Sequence, residues 1–250
     1  MRIGLIGCGN MARALAVGWG DPVVCADPVA GRAQELAALV GGEARDSNIA
    51  VAEAVELVVL CHKPAQLGEV AAEVAISGTP VASILAATTL AQLREAYPSR
   101  PVFRFMPSLP VEVRQGAVVQ AADEPQGPPL DERVAELFAR LGTLVVLPEQ
   151  LIDPAMGLMG CAPAYFALVA EAQIDAGVRR GVPAATGAEL VVQTLAGTAA
   201  LLRARGNDTL AVRREVSSPG GSTARGVAAL ERGGIRAAFD AAMDDAVGPA

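Results

Sequence analysis

The chain has one lysine and one histidine, Lys63 and His62, side by side. Its second half contains neither, which excludes any mechanism that needs a lysine or imidazole from that half. Aromatic residues make up 3% of the sequence and the formal net charge is −7. Nucleic-acid binding, which wants basic surface and stacking rings, is excluded with them. Four cysteines, Cys8, Cys25, Cys61 and Cys161, show no CxxC pairing. That scatter speaks against a disulfide frame or zinc site and for reduced thiols in a cytoplasmic protein, and no metal is expected. Three of them fall in or beside expected strands, where a buried cysteine acts as a small hydrophobe. The start, Met1-Arg2-Ile3-Gly4, shows no signal-peptide pattern, and no run reads as a membrane span.

What is present begins with a strand-like run, Arg2 to Ile6, that enters Gly7-Cys8-Gly9-Asn10-Met11-Ala12. This is G-x-G-x-x-A after a strand and ahead of a helical pattern, Met11 to Trp19. A second strand, Pro22 to Ala26, ends in Asp27, twenty residues after Gly7, where an acidic residue holds the ribose of a bound dinucleotide. Gly7 would make the tight turn, Gly9 would admit the pyrophosphate and Ala12 would allow close helix–strand packing. Asp27 accepts from a free 2′-hydroxyl and repels a 2′-phosphate, although Arg32 could offset that repulsion. The cofactor is NAD(P)H, leaning to NADH.

Strands and helices continue to alternate. The apolar run Leu57 to Cys61 ends at His62-Lys63-Pro64, Pro80 to Leu85 ends at Ala86-Ala87-Thr88-Thr89, and Pro101 to Phe105 ends at Met106-Pro107-Ser108. Such ends line the cofactor crevice of a parallel sheet. His62 could be a general acid or could pack beside the cofactor, and the second is the commoner role. Lys63 reads as fixing a turn and neutralising cofactor charge. The fold expected is α/β, with an N-terminal Rossmann dinucleotide-binding domain over residues 1–150 and an all-α dimerisation and substrate-binding domain over residues 151–250.

From Leu151 on the pattern is helical. Ala162 to Val178 is apolar nearly all round, so it must be buried. About a hundred residues barely supply a core for it, and an intertwined homodimer is expected. Within this half, Val216-Ser217-Ser218-Pro219-Gly220-Gly221-Ser222-Thr223 opens a helix running to Glu231. It can be a capped helix–helix turn, or a loop whose glycines and free N–H groups take a carboxylate or phosphate.

With these residues in place, the chain resembles the pyrroline-5-carboxylate reductases over nearly its whole length. The most specific match is Val216 to Thr223 with Gly226 and Leu230-Glu231. Supporting matches are Gly7 to Met11, Lys63-Pro64, Arg104-Phe105-Met106-Pro107, Pro163-Ala164-Tyr165 and Asp175-Ala176-Gly177-Val178. The resemblance implies hydride transfer from a reduced nicotinamide to a cyclic imine acid, in dimers that often assemble into rings. It implies Thr223 as the catalytic hydroxyl at the imine nitrogen. Glu149, Val216, Ser218, Gly220, Gly221 and Ser222 are implied around the substrate. Ile6, Gly7, Cys8, Gly9, Asn10, Met11, Asp27, Asn48, Cys61, His62, Lys63, Pro64, Ile84, Leu85, Ala86, Met106 and Pro107 are implied around the cofactor.

The chain departs from the family pattern at Met156, Met159, Cys161, Ser108 and Ala87-Thr88, which would make the pocket floor less polar. A reductase of another small cyclic imine acid and a non-catalytic dinucleotide-binding relative are the alternatives. A β-hydroxyacid dehydrogenase is excluded, because its mechanism needs a lysine in the helical domain.

Overall fold

The computed structural model describes residues 1–248 and divides into two compact units, the first Met1–Pro163 and the second from Ala164 onward. The first contains an eight-stranded sheet in the order β3-β2-β1-β4-β5-β6-β7-β8. The strands are β1 (Ile3–Ile6), β2 (Val23–Ala26), β3 (Glu43–Ala44), β4 (Leu57–Leu60), β5 (Val81–Ser83), β6 (Val102–Pro107), β7 (Gly116–Ala121) and β8 (Gly142–Leu147). Strands β1 to β6 run parallel, β7 is antiparallel to β6, and β8 is parallel to β7. The register sets Ile6 beside both Ala26 and Leu60, so the residues after β1, β2 and β4 emerge together at one edge. That edge is where the chain reverses from one side of the sheet to the other, the usual ligand crevice of such folds.

Helices cover both faces because the central strands are apolar on both sides. On one face, α1 (Asn10–Trp19), α2 (Arg32–Val40) and α6 (Leu130–Ala139) bury Leu15, Trp19, Leu36 and Phe138 against Leu5, Val59 and Phe105. Phe138 stacks on Phe105 with ring centroids 3.8 Å apart, and Trp19 meets Phe138 edge-on. On the other face, α3 (Asn48–Ala52), α4 (Leu67–Glu73), α5 (Leu90–Ala96) and α7 (Ile152–Met159) bring Val51, Val70, Leu93 and Ile152 onto Ile6, Leu60, Val81 and Met106. The sequence boundary at residue 150 falls short of the end of this unit. Ile152 and Ala155 of α7 belong to its core, and the compact unit continues to Pro163.

The second unit comprises most of α8 (Ala162–Val178), with α9 (Ala184–Ala204), α10 (Thr209–Glu215), α11 (Ser222–Arg232) and α12 (Ile235–Val247). Among its described residues only Gly187, Val191 and Val212 are buried. Within the single chain α8 is largely exposed. Phe166 on α8 is 56% exposed and Leu190 on α9 is 59% exposed, with Leu168 and Val192 alike. Exposed apolar residues in this number mark an interaction surface.

Two stretches bear on the reading that no run serves as a membrane span. Glu149–Val178 and Ala184–Ala204 are long and apolar enough by length and composition. The first, however, is broken at Gly160-Cys161 into two helices, and it carries Asp153, Glu171 and Asp175.

Candidate functional site

The glycine turn after β1 has the geometry its spacing predicts. Gly7 has φ +93°, and a Cβ there would approach the backbone of Cys61 and His62 to 2.8 Å, so only glycine fits. Gly9 is different: a Cβ there would meet nothing within 4 Å, because the backbone borders open space. Gly9 also caps α1 without any side-chain hydrogen bond, which leaves the first-turn N–H groups of that helix for an anion. Ala12, buried, packs α1 against the sheet.

The open space is a cavity of about 790 Å³, within the range that holds small ligands and cofactors. Ile6, Gly7, Gly9, Asn10, Met11, Asp27, Asn48, Cys61, His62 and Lys63 line it. The turn, the open backbone at Gly9 and this volume fit a dinucleotide. Four carboxylates, Asp27, Asp46, Glu69 and Glu73, line the cavity with two cationic side chains, Arg32 and Lys63.

The Asp27 carboxylate is already engaged. It accepts the N–H of Cys8 at 2.7 Å and that of Val29 at 2.8 Å. The Cys8 N–H is therefore turned to Asp27, and its thiol is buried against Ala26 O. Asn48 opens α3 and donates to Glu73 at 2.5 Å. His62 Nδ1 lies 2.8 Å from Lys63 O, the tautomer in which Nδ1–H donates. Its Nε2 is buried without a partner. Burial lowers the His62 pKa and the Lys63 carbonyl only partly opposes this, so the ring is neutral and poorly suited to general acid work. Burial pushes the Cys61 thiol up. Contact with Cys25 and burial do the same for Cys8.

Other expected cofactor residues are not part of this cavity's lining. Leu85 and Met106 are core side chains, packed among Ile6, Leu60 and Leu93. Ile84 and Ala86 are half-buried at the same strand edge, Pro107 ends β6, and Pro64 starts a 3₁₀ turn after Lys63. Met156 and Met159 pack against the second core. The Ser108 hydroxyl pins β7, donating to Ala117 O and accepting Ala117 N–H.

Glu149, implied near the substrate, is held within the first unit by two donors. One oxygen, Oε1, accepts the N–H of Leu90 at 2.6 Å and Arg104 Nη1 at 2.9 Å. Asp153 takes Arg104 Nη2 at 3.2 Å. Sequence reasoning missed this cluster, although a lone arginine in an apolar strand, Val102–Pro107, was a visible signal.

In the second unit the loop before α11 is a tight turn. Gly220 has φ +69°, and Gly221 N–H donates to Ser218 O at 3.0 Å. A Cβ on Gly221 would displace the Ser218 hydroxyl and lie 3.1 Å from Ser218 O, so the turn is tight there. Gly221 is the N-cap and provides no side-chain cap. The N–H groups of Ser222, Thr223 and Ala224 therefore have no acceptor within the helix. Ser218, Ser222 and Thr223 are exposed or half-buried at the surface, and Val216 is exposed at the end of α10. Arg225, which sequence reasoning left without a role, donates to Gly220 O and brings a positive charge to the turn. The arrangement suits a small carboxylate.

Comparison with known proteins matches one family model near each end of the chain. Residues 149–250 match the family model described as pyrroline-5-carboxylate reductase dimerisation, and residues 2–87 match the one described as NADP oxidoreductase coenzyme F420-dependent. A pyrroline-5-carboxylate reductase of Synechocystis is 32% identical, covering 96% of this chain and 93% of that protein. The Thermus thermophilus pyrroline-5-carboxylate reductase is 34% identical over 98% of this chain and 96% of its own. Among solved structures, the 1-pyrroline-5-carboxylate reductase of Streptococcus pyogenes superposes with a TM-score of 0.89 at 28% identity, covering 99% of this chain and 96% of that one.

Proposed function

The chain belongs to the pyrroline-5-carboxylate reductase family, and from that premise we propose that it reduces pyrroline-5-carboxylate to L-proline, with NADH as its preferred donor. The observation that carries the reading is the uncapped start of α11 behind the Gly220–Gly221 turn, in a half of the chain with no lysine or histidine. A reduced nicotinamide, when bound, supplies the hydride. The protonated cyclic imine is already electrophilic, so positioning and charge stabilisation lower most of the barrier. Gly7, Gly9 and the start of α1 receive the pyrophosphate, with Lys63 neutralising charge beside it. The N–H groups of Ser222 to Ala224 hold the substrate carboxylate, with Arg225 adding positive charge. The Thr223 hydroxyl accepts a hydrogen bond from the ring nitrogen and keeps its proton there.

The preference for NADH rests on the cavity's charge. Asp27, Asp46, Glu69 and Glu73 outnumber Arg32 and Lys63, and a 2′-phosphate would add negative charge to that set. The exposed apolar faces of α8 and α9 are read as the contact with a second copy in a cytoplasmic homodimer, with dimers able to assemble further into a ring. Neither membrane nor nucleic acid enters this reading.

An assay of the purified protein with pyrroline-5-carboxylate and each of NADH and NADPH tests it. Turnover with NADH is expected, and no turnover with either donor would overturn the reading. A clear preference for NADPH would refute the charge argument alone. Sedimentation at micromolar concentration tests the assembly, and a stable monomer would contradict it.

A further inference from the structure

The loop after β5 is anchored at nearly every turn. Ser83 and Thr88 are buried, and both hydroxyls fold back on the chain. Ser83 Oγ accepts the N–H of Leu85 at 3.2 Å, and Thr88 Oγ1 donates to Ala86 O at 3.2 Å. Between them Ala87 has φ +51°, a left-handed conformation that alanine holds only under constraint from its surroundings. Thr89 and Gln92 close a capping box at the start of α5. One first-turn N–H of that helix, Leu90, is taken from outside the helix by Glu149 Oε1 at 2.6 Å.

The same Glu149 oxygen accepts Arg104 Nη1. Arg104 is 2% exposed and sits directly beside Ser83 in the β5–β6 ladder. Its Nη2 meets Asp153, and its Nε is buried without a partner. A buried guanidinium needs its carboxylates, so Glu149 cannot turn away without leaving that charge poorly compensated. It is thereby held in reach of Leu90. The loop it anchors begins beside the cavity wall, because Ile84 N–H donates to Leu60 O and the residue after Leu60 is Cys61. Carboxyl ends of adjacent parallel strands form the cofactor crevice.

We propose that Glu149 is a positioning residue for the dinucleotide. Acting through the Leu90 N–H and Arg104, it fixes the loop Ala86–Thr89 at the crevice edge, and it does not touch the imine substrate. This rests on the reduced-dinucleotide reading above.

The test compares wild type with Glu149→Gln and Asp153→Asn, by NADH titration and by steady-state kinetics in both substrates. Glutamine keeps the size but loses the charge that holds the side chain between Arg104 and Leu90. Glu149→Gln is expected to raise both the Kd and the KM for NADH at least about fivefold while leaving the imine KM within about twofold. Asp153→Asn, whose side chain meets Arg104 but not Leu90, is expected to bind NADH within about twofold of wild type. Unchanged NADH binding in Glu149→Gln, or a rise confined to the imine KM, would overturn the proposal.

If Glu149→Gln fails to melt cooperatively, hydrogen–deuterium exchange on the wild-type protein decides. Residues 84–90 should exchange more slowly once NADH is saturating, and an unchanged rate counts against the assignment. A wild-type protein that binds neither NADH nor NADPH removes the dinucleotide reading itself, and this inference falls with it.

Discussion

Asp27 Oδ2 accepts the backbone N–H of Cys8 at 2.7 Å, tying the end of β2 to the middle of the glycine turn after β1. The second carboxylate oxygen accepts Val29 N–H. A carboxylate has about four acceptor positions, so both bonds leave room for a ribose hydroxyl. The residue expected from spacing alone to hold the ribose is therefore also part of the frame that shapes the turn. Asp27→Ala should lower kcat/KM for NADH at least about tenfold, because it removes a ribose acceptor and frees the Cys8 N–H together. It should also narrow the preference over NADPH, since one of four lining carboxylates is gone. Steady-state assays with both donors check this, and an unchanged ratio would contradict it.

The two glycines of the turn should separate stability from binding. Gly7→Ala forces a left-handed alanine and a Cβ within 2.8 Å of the backbone of Cys61 and His62. It is expected to cost about 1–3 kcal/mol of stability, seen as a lower urea midpoint. Gly9→Ala adds a methyl where the protein has nothing within 4 Å. Its melting should match wild type while NADH affinity falls, because the methyl occupies space meant for the pyrophosphate. Equal stability losses in the two variants would be inconsistent with this division.

How far the chain could be read from its residues depends on how each element meets its neighbours. Strands β1, β2 and β4 were legible because they are apolar runs ending in glycine, aspartate or the His62-Lys63-Pro64 turn. The Ser217–Thr223 loop was legible as a turn opening a helix because its glycines precede a helical pattern. The partners of Glu149 were not legible, since Leu90 and Arg104 are 59 and 45 positions away and nothing local points to them. Exposure of α8 in the single chain fits the expectation that a second copy supplies its cover. The first compact unit runs past residue 150 to Pro163 because Ile152 of α7 packs on the sheet.

His62 gives a pH test. Burial holds its folded pKa below the ordinary 6.5, so the unfolded chain binds the proton first as pH falls. The neutral ring's contribution is fully present above about 6.5 and is lost as pH drops through the folded value. His62→Gln should therefore be less stable than wild type at pH 7.5, from the lost bond to Lys63 O, with the gap narrowing by pH 5. Urea midpoints at the two pH values measure it. A constant gap would show that the ring does not titrate differently on folding.

Thr223 stands at the second position of α11, at the surface and outside any side-chain cap. Removing its hydroxyl should therefore leave melting within about 0.5 kcal/mol of wild type. Its proposed partner is the imine nitrogen, whose proton must stay in place while hydride arrives at the neighbouring carbon. Thr223→Ala should lower turnover at least about tenfold, and Thr223→Ser should restore most of it, because only the hydroxyl is used. A five-membered cyclic carboxylate without a ring nitrogen separates the two halves of the loop's task. It should inhibit wild type and Thr223→Ala equally, since the carboxylate is held by backbone N–H groups that the substitution leaves intact. Wild-type turnover in Thr223→Ala would remove the hydroxyl from the mechanism. Weaker inhibition of that variant by the nitrogen-free carboxylate would mean that Thr223 binds the carboxylate instead.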